Sequence, residues 1–247
     1  NDVSKMIAKG FIFKYFVING TFAGRRDVNF IGGTGSYIDG TGTINIVNLV
    51  KGLNINGNTE IKSTAKLVVT YYIKLASDVV VTNYGEVNIN NHLYGTNSNS
   101  EWINGAGSKV SASGTVMSTG KLTASASGNT VEFQNSGTQN IKTPTSNTFH
   151  HLIISGADQK TMYSDLTING NLTISSSLSC NNYDITLKGN WSNSNTFVPG
   201  TGTVTISGTG QQKINNILGE TFYNLTINKS SGCFELVSGD VTVTDTL

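Results

Sequence analysis

The chain has 247 residues, with 16 Lys and Arg against 15 Asp and Glu, a formal net charge of +1 and only 13% charged residues in all. Near-neutrality removes the electrostatic basis for binding nucleic acid or an anionic membrane surface, and no apolar run approaches the roughly 18 residues that read as a membrane-spanning helix. The hydrophobic share of 37% is low for a globule, yet the apolar residues are periodic and the net charge is small, which excludes a disordered chain. The polar majority is Asn, Ser, Thr and Gly. With 28 Gly and only two Pro (Pro144 and Pro199), this composition favours many short strands joined by tight turns over helices. The first residue is Asn1 and the last, Leu247, falls inside a strand-like pattern, so a processed or excised piece of a longer protein is expected.

From Asn1 to about Leu75 the pattern is heavy. "FIFKYFVIN" (11–19) sets Phe11, Phe13, Tyr15 and Val17 on one face and Ile12, Phe16 and Ile18 on the other, and "LVVTYYIKL" (67–75) is also apolar on both faces. Strands covered on two sides read this way. Two explanations stand: a thicker, sandwich-like cap on a solenoid, since terminal repeats are atypical, or an assembly surface in which Phe11, Phe13, Phe16, Tyr71 and Tyr72 are covered by another subunit. "GGTGSYIDGTG" (32–42) is glycine-rich, but no helix or Lys follows, so it is not a phosphate loop. The Gly/Ser/Asn-rich stretch 94–114 predicts a loop or boundary. The chain is thus expected to divide into a β-rich cap or assembly region, 1–100, and a solenoid, 101–247.

A repeat governs the rest. Shifted by 73 residues, "VEFQNSGTQNIKTPTSNTFHHLIIS" (131–155) falls on "VTISGTGQQKINNILGETFYNLTIN" (204–228) with eight of 25 positions identical, among them Phe149/Phe222, Leu152/Leu225 and Ile154/Ile227; chance gives about two. Inside it, "LTI" at 166–168, 172–174 and 225–227, "ITL" at 185–187, "VTI" at 204–206 and "VTV" at 241–243 alternate apolar, Thr, apolar, which puts the apolar pair on one face and Thr on the other. Nothing from Thr115 onward holds a helical stripe. Strands this short are stable only if each coil of chain lies on the next, in register. The expectation is an all-β parallel β-solenoid, with 73 residues making about three coils of roughly 20–25 residues each. Leu152, Leu225, Ile154 and Ile227 belong to its core, Phe149 and Phe222 fill corners, and parity requires a bend between Phe222 and Leu225.

"PGTGTVTISGTGQQKI" followed by "TFYNLTIN" resembles the tandem repeats of very large bacterial and archaeal cell-surface proteins, which carry a Gly-Thr-Gly strand opening, a Gln-Gln pair and a Phe-x-Asn-Leu-x-Ile strand. The likeness covers about Thr115 to Leu247. The upstream copy departs from it, with Thr138-Gln139 for the Gln pair and His151 in place of Asn224, and residues 1–100 share little. The resemblance implies an extracellular β-solenoid of an adhesin, stalk or envelope layer, and no catalytic residues.

Candidate sites are sparse. Asp158, Asp165 and Asp184, or Glu132 and Lys160, become neighbours if the chain coils, but solvated surface charge is the better reading. His150 and His151 are adjacent, so on a strand they point to opposite faces and do not share an ion; His92 is distant. Trp102 and Trp191 are either sugar-stacking platforms or buried. Cys180 and Cys233 either pair or are two small buried residues. Asn19, Asn171, Asn190, Asn224 and Asn228 head glycosylation triplets, which a chain this rich in Asn and Thr produces by composition. No catalytic residue, metal or cofactor is expected. The expected function is a non-enzymatic extracellular structural role in a cell-surface adhesin or envelope layer. The alternatives are a self-assembling subunit of a filament, tube or sheath, and a glycan-binding or polysaccharide-degrading β-helix. The expected partners are copies or repeats of the chain itself, with surface glycans the other candidate; no nucleic acid and no membrane insertion are expected.

Overall fold

A computed structural model describes residues 15–24, 27–46 and 52–247. The fold is an all-β parallel solenoid of about ten turns of short strands. It forms two compact units, Asn1–Thr123 and Ala124–Leu247.

In the first unit the windings are β1 (Tyr15–Val17), β2 (Gly20–Gly24) and β3 (Val28–Phe30); β4 (Tyr37–Asp39), β5 (Thr41–Ile46) and β6 (Leu53–Ile55); β7 (Thr59–Ile61), β8 (Lys66–Val69) and β9 (Ile73–Leu75); β10 (Val80–Asn83), β11 (Glu86–Ile89) and β12 (Leu93–Gly95); then β13 (Glu101–Asn104), β14 (Lys109–Ala112) and β15 (Lys121–Thr123). They stack as three faces: face A is β1-β4-β7-β10-β13-β15, face B holds β2-β5-β8-β11-β14, and face C is β3-β6-β9-β12. Paired residues lie 20 to 25 positions apart, from Leu53↔Ile73 to Val28↔Leu53.

In the second unit the strands are β16 (Thr130–Phe133), β17 (Gln139–Asn140), β18 (Thr148–Phe149), β19 (His151–Ile154), β20 (Gln159–Thr161), β21 (Leu166–Ile168), β22 (Leu172–Ile174), β23 (Ser177–Ser179), β24 (Ile185–Leu187), β25 (Trp191–Asn193), β26 (Phe197–Val198), β27 (Thr203–Ile206), β28 (Gln212–Asn215), β29 (Glu220–Ile227), β30 (Phe234–Ser238) and β31 (Val241–Thr246). Face D holds β16-β19-β22-β25-β28-β30, face E is β17-β20-β23-β26 and face F is β18-β21-β24-β27-β29-β31. One 3-10 turn, Thr145–Asn147, follows Pro144.

The triplets explain the core. In Leu166-Thr167-Ile168 the two apolar residues are buried and Thr faces outward. Stacking places Leu166 under Ile185, Val204 and Leu225, while Thr167 runs in a column with Thr186, Thr205 and Thr226. Each buried Leu, Ile or Val contributes about 1.5–3 kcal/mol, and each rung lies about 4.8 Å from the next.

Asn, Asp and His close the corners by one repeated device. The residue just before a strand, or the strand's first residue, accepts, on its side chain, the N–H of the residue directly above it. Asn19 takes Thr41, Asp27 takes Gly52, Asn58 takes Val80 and His92 takes Thr115. In the second unit His151 takes Asn171, Asn171 takes Asn190 and Asn190 takes Lys213, at 2.9 Å each. Asp165 takes Asp184 and Asp184 takes Thr203. These N–H groups would otherwise lose their partner where the ladder turns.

Four expectations are corrected. First, windings are already present at β1, well before residue 101, and the two compact units divide after Thr123, not after residue 100. The polar stretch 94–114 carries β13 and β14 because Trp102 and Val110 supply its core while the Ser and Asn residues serve the corners. Second, "LVVTYYIKL" is two strands, β8 and β9, separated by a corner at Thr70–Tyr72; apolarity on both faces came from reading one strand through a turn. Third, 73 residues is not a whole number of windings. Three windings carry Val131 to Trp191 and four carry it to Ile214. The repeat therefore moves Leu152 on face D to Leu225 on face F, and both are buried. Fourth, Ile227 is 42% exposed although Ile206 beneath it is buried. The ladder above slips between Phe222 and Asn224 and its last pair is Asn224↔Thr246, so no strand covers Ile227. That slip is the bend which the parity of Phe222 and Leu225 required.

Candidate functional site

The core holds polar groups that the sequence did not advertise. Glu220 is buried, and its Oε2 accepts Trp191 Nε1 at 2.6 Å, Asn193 Nδ2 at 2.8 Å and Asn216 Nδ2 at 3.3 Å. Trp191, Phe197 and Phe222 pack around it with ring centroids 4.7 to 5.8 Å apart. Two lysines do the reverse. Lys160 is buried and its ammonium donates to the carbonyls of Asn135, Ala157 and Asp158, while burial pulls its pKa down. Lys229 donates to the carbonyls of Gly208 and Gly210 and to Gln212 Oε1 at 2.7 to 2.8 Å. The Gln shared by the two repeats closes the same loop: Gln139 Oε1 accepts Asn135 N–H and Gln212 Oε1 accepts Gly208 N–H. These groups take their partners from the scaffold and hold it together.

The residues singled out from sequence fall in several places. Phe149, Phe222, Leu152, Leu225 and Ile154 are buried. Phe149 ends β18 at the corner leading to β19 and meets Phe133 edge-on at 6.3 Å. Phe11 and Phe13 lie outside the described residues. Phe16 is only 8% exposed, facing inward with Ile18 while Tyr15 and Val17 face out, so it is not an assembly surface. Tyr71 and Tyr72 are half-buried and form a chain of rings with Tyr94. The Tyr72 hydroxyl donates to Asp27 at 2.9 Å, and burial together with that carboxylate raises its pKa. Trp102 and Trp191 are fully buried and are not sugar platforms. Both cysteines are free, Cys180 buried and Cys233 exposed, and burial raises the Cys180 thiol pKa.

The expectation that His150 and His151 point apart is overturned. They straddle the corner between β18 and β19, with rings 4.4 Å apart and edge-on. Gly170 lies on the winding above: a Cβ there would fall 2.5 Å from His151 Nδ1 and 2.7 Å from His150 Nδ1. His151 Nδ1 is committed to the Asn171 N–H, which fixes the ring proton on Nε2. Burial lowers both pKa values, and His150 lowers that of His151 further. Among the described residues no group of three or more His, Cys, Asp or Glu is placed to hold a metal ion. Asp165 and Asp184 are neighbours, as corner caps, while Glu132 accepts the Ser155 hydroxyl and Lys160 serves the carbonyls above.

The outer side of face A carries a cleft of about 320 Å³, lined in part by Thr34, Ser36, Asn58, Glu60, Thr82 and Tyr84. Two hydrogen bonds tie the 33–36 turn to the winding above it: Gly33 N–H donates to Asn58 O at 2.9 Å and Glu60 N–H to Ser36 O at 3.0 Å. Glu60 is held by Lys62 at 2.6 Å, and the Lys62 ammonium sits 5.2 Å over the Tyr37 ring. Tyr84 is 40% exposed, and its ring lies against Gly105, where a Cβ would come within 2.6 Å. Gly105 thus lets the ring lie against the winding next to the cleft. Sequence reading missed this cleft because its residues come from three windings.

The chain matches no known protein family, no curated protein and no solved structure. The functional reading therefore rests on the geometry.

Proposed function

We propose that this chain is a non-enzymatic structural β-solenoid segment of an extracellular surface, in an adhesin or a cell-envelope layer. The observation that carries the reading is where its polar side chains are spent. The Asn, Asp and His of the corners cap the next winding's N–H groups, and buried Glu220 and Lys160 and half-buried Lys229 bind the scaffold. Such windings contact only their neighbours, so more can be added without redesigning a core. An outer surface of Thr, Asn and Ser with little charge suits an environment of variable salt. Immunolabelling of intact, non-permeabilised cells tests it: surface label is expected, and label only after permeabilisation overturns the reading.

A second reading, self-assembly into a filament or sheath, is favoured by Ile217 and Leu218, which are 81% and 83% exposed, in a chain that also exposes Leu236 and Val237. Its test is sedimentation velocity across rising concentration. Growth of the sedimenting species that Ile217→Asn with Leu218→Asn abolishes supports it; a monomer throughout rejects it.

A further inference from the structure

We propose that the face-A cleft binds a short uncharged oligosaccharide. Three observations carry this. The first is preorganised polarity. Asn58 spends its Oδ1 on the Val80 N–H, which aligns the amide, while its Nδ2 and the side-chain hydroxyls of Thr34, Thr82 and Tyr84 make no hydrogen bond among the described residues. Ser36, 3% exposed, lines the cleft, and its Oγ is shielded from solvent without a hydrogen-bond partner. Ser36 Oγ is therefore closed to a ligand, and the groups offered to one are the Asn58 amide and the three outward hydroxyls.

The second is charge. Glu60 offers one oxygen to Lys62 and retains a second for vicinal hydroxyls. The pair sums to zero, so the cleft has no attraction for a polyanion or a polycation. The lining contains a single carboxylate, Glu60, whereas hydrolysis of a glycosidic bond uses two. The predicted activity is therefore binding without cleavage.

The third is shape. The exposed Tyr84 ring supplies an apolar face beside polar groups, the combination on which the C–H side of a sugar ring packs while its hydroxyls bond outward. The lining comes from three successive levels, the 33–36 turn, the Asn58–Glu60 segment and the Val80–Tyr84 segment. These rise by about 4.8 Å each, a spacing close to one sugar ring. A chain of two or three sugars running along the column would meet one level per ring.

The test is a titration of the purified full chain with uncharged trisaccharides of glucose, mannose and N-acetylglucosamine, and with trigalacturonate as the charged comparator, followed by amide chemical shifts. Saturable shifts confined to 33–36, 58–60 and 80–84 with one uncharged probe are expected. Tyr84→Ala and Glu60→Gln should each weaken binding at least about tenfold, and Tyr163→Ala, which removes an exposed tyrosine outside the cleft, should change nothing. If either cleft variant melts early, Thr82→Val, which removes only a hydroxyl, replaces it. Absence of saturation with every uncharged probe overturns the proposal. So do preference for trigalacturonate, affinity indifferent to the cleft variants, and release of new reducing ends. Surface labelling tests the structural reading separately, so either can fail alone.

Discussion

His151, Asn171 and Asn190 occupy equivalent places in successive windings and do the same work with different chemistry. An amide oxygen accepts at any pH, but an imidazole Nδ1 accepts only while unprotonated. Burial holds the His151 pKa below the usual imidazole range, so the unfolded chain takes up the proton first as pH falls. Stability should therefore be full above about pH 6.5 and decline below it. Thermal melts at neutral and acid pH should show this loss, and His151→Asn should shrink it while preserving the neutral-pH melt. Asp184 offers a second test. Asp184→Asn should be nearly silent, whereas Asp184→Ala strands the Thr203 N–H and should cost about 1 kcal/mol in urea denaturation. Inside the core, Glu220→Ala leaves Trp191, Asn193 and Asn216 donors without their acceptor. A loss of about 3 kcal/mol is expected by the same measurement, with Glu220→Gln milder because one acceptor oxygen survives. The glycosylation triplets also acquire a structural meaning. Asn19, Asn171, Asn190 and Asn224 each cap an N–H one winding on, and in Asn171-Leu-Thr and Asn190-Trp-Ser the next residue enters the core and the third faces out.

At the scale of the element, the unit of stability is the column rather than the strand. Phe149, Ile168, Leu187, Ile206 and Ile227 are in register on face F. Their neighbours differ: Ile206 has strands on both sides, while β31 leaves Ile227 bare. Ile206→Ala should cost about 2–5 kcal/mol through lost burial and the cavity left behind, and Ile227→Ala well under half as much. Paired denaturation curves measure the difference, and equal losses would mean that register does not set burial. The alternation of apolar and Thr residues made the strands legible in sequence, and the parity of Phe222 against Leu225 located the bulge. The corners were less legible. "LVVTYYIKL" contains no Gly or Pro, so nothing local announced the turn at Thr70–Tyr72; the stacking of Leu67 on Gly42 and of Ile73 on Leu53 decides it.

At the scale of the whole molecule, the ion pairs Lys62–Glu60 and Lys213–Glu235 of the described residues are both exposed, and exposed pairs contribute about 0–1 kcal/mol. The melting temperature should consequently shift by no more than a few degrees between low and high salt, and a large shift in a differential scanning experiment would contradict the picture of apolar columns and neutral corner caps.

The sequence by itself determined the class of fold and the direction of most side chains, because a period of two and a repeated apolar-Thr-apolar triplet leave few ways to bury apolar surface other than stacking. Only the tertiary structure decided where each winding closes, and hence which residues meet. Windings differ in length, from 18 residues between Gln159 and Ser177 to 25 between Val28 and Leu53, so 73 residues need not close a whole number of them and the two copies of the likeness land on different faces. The cleft on face A and the meeting of His150 with His151 share that origin: each depends on what lies one winding away, some twenty residues along the chain, where no local pattern reaches.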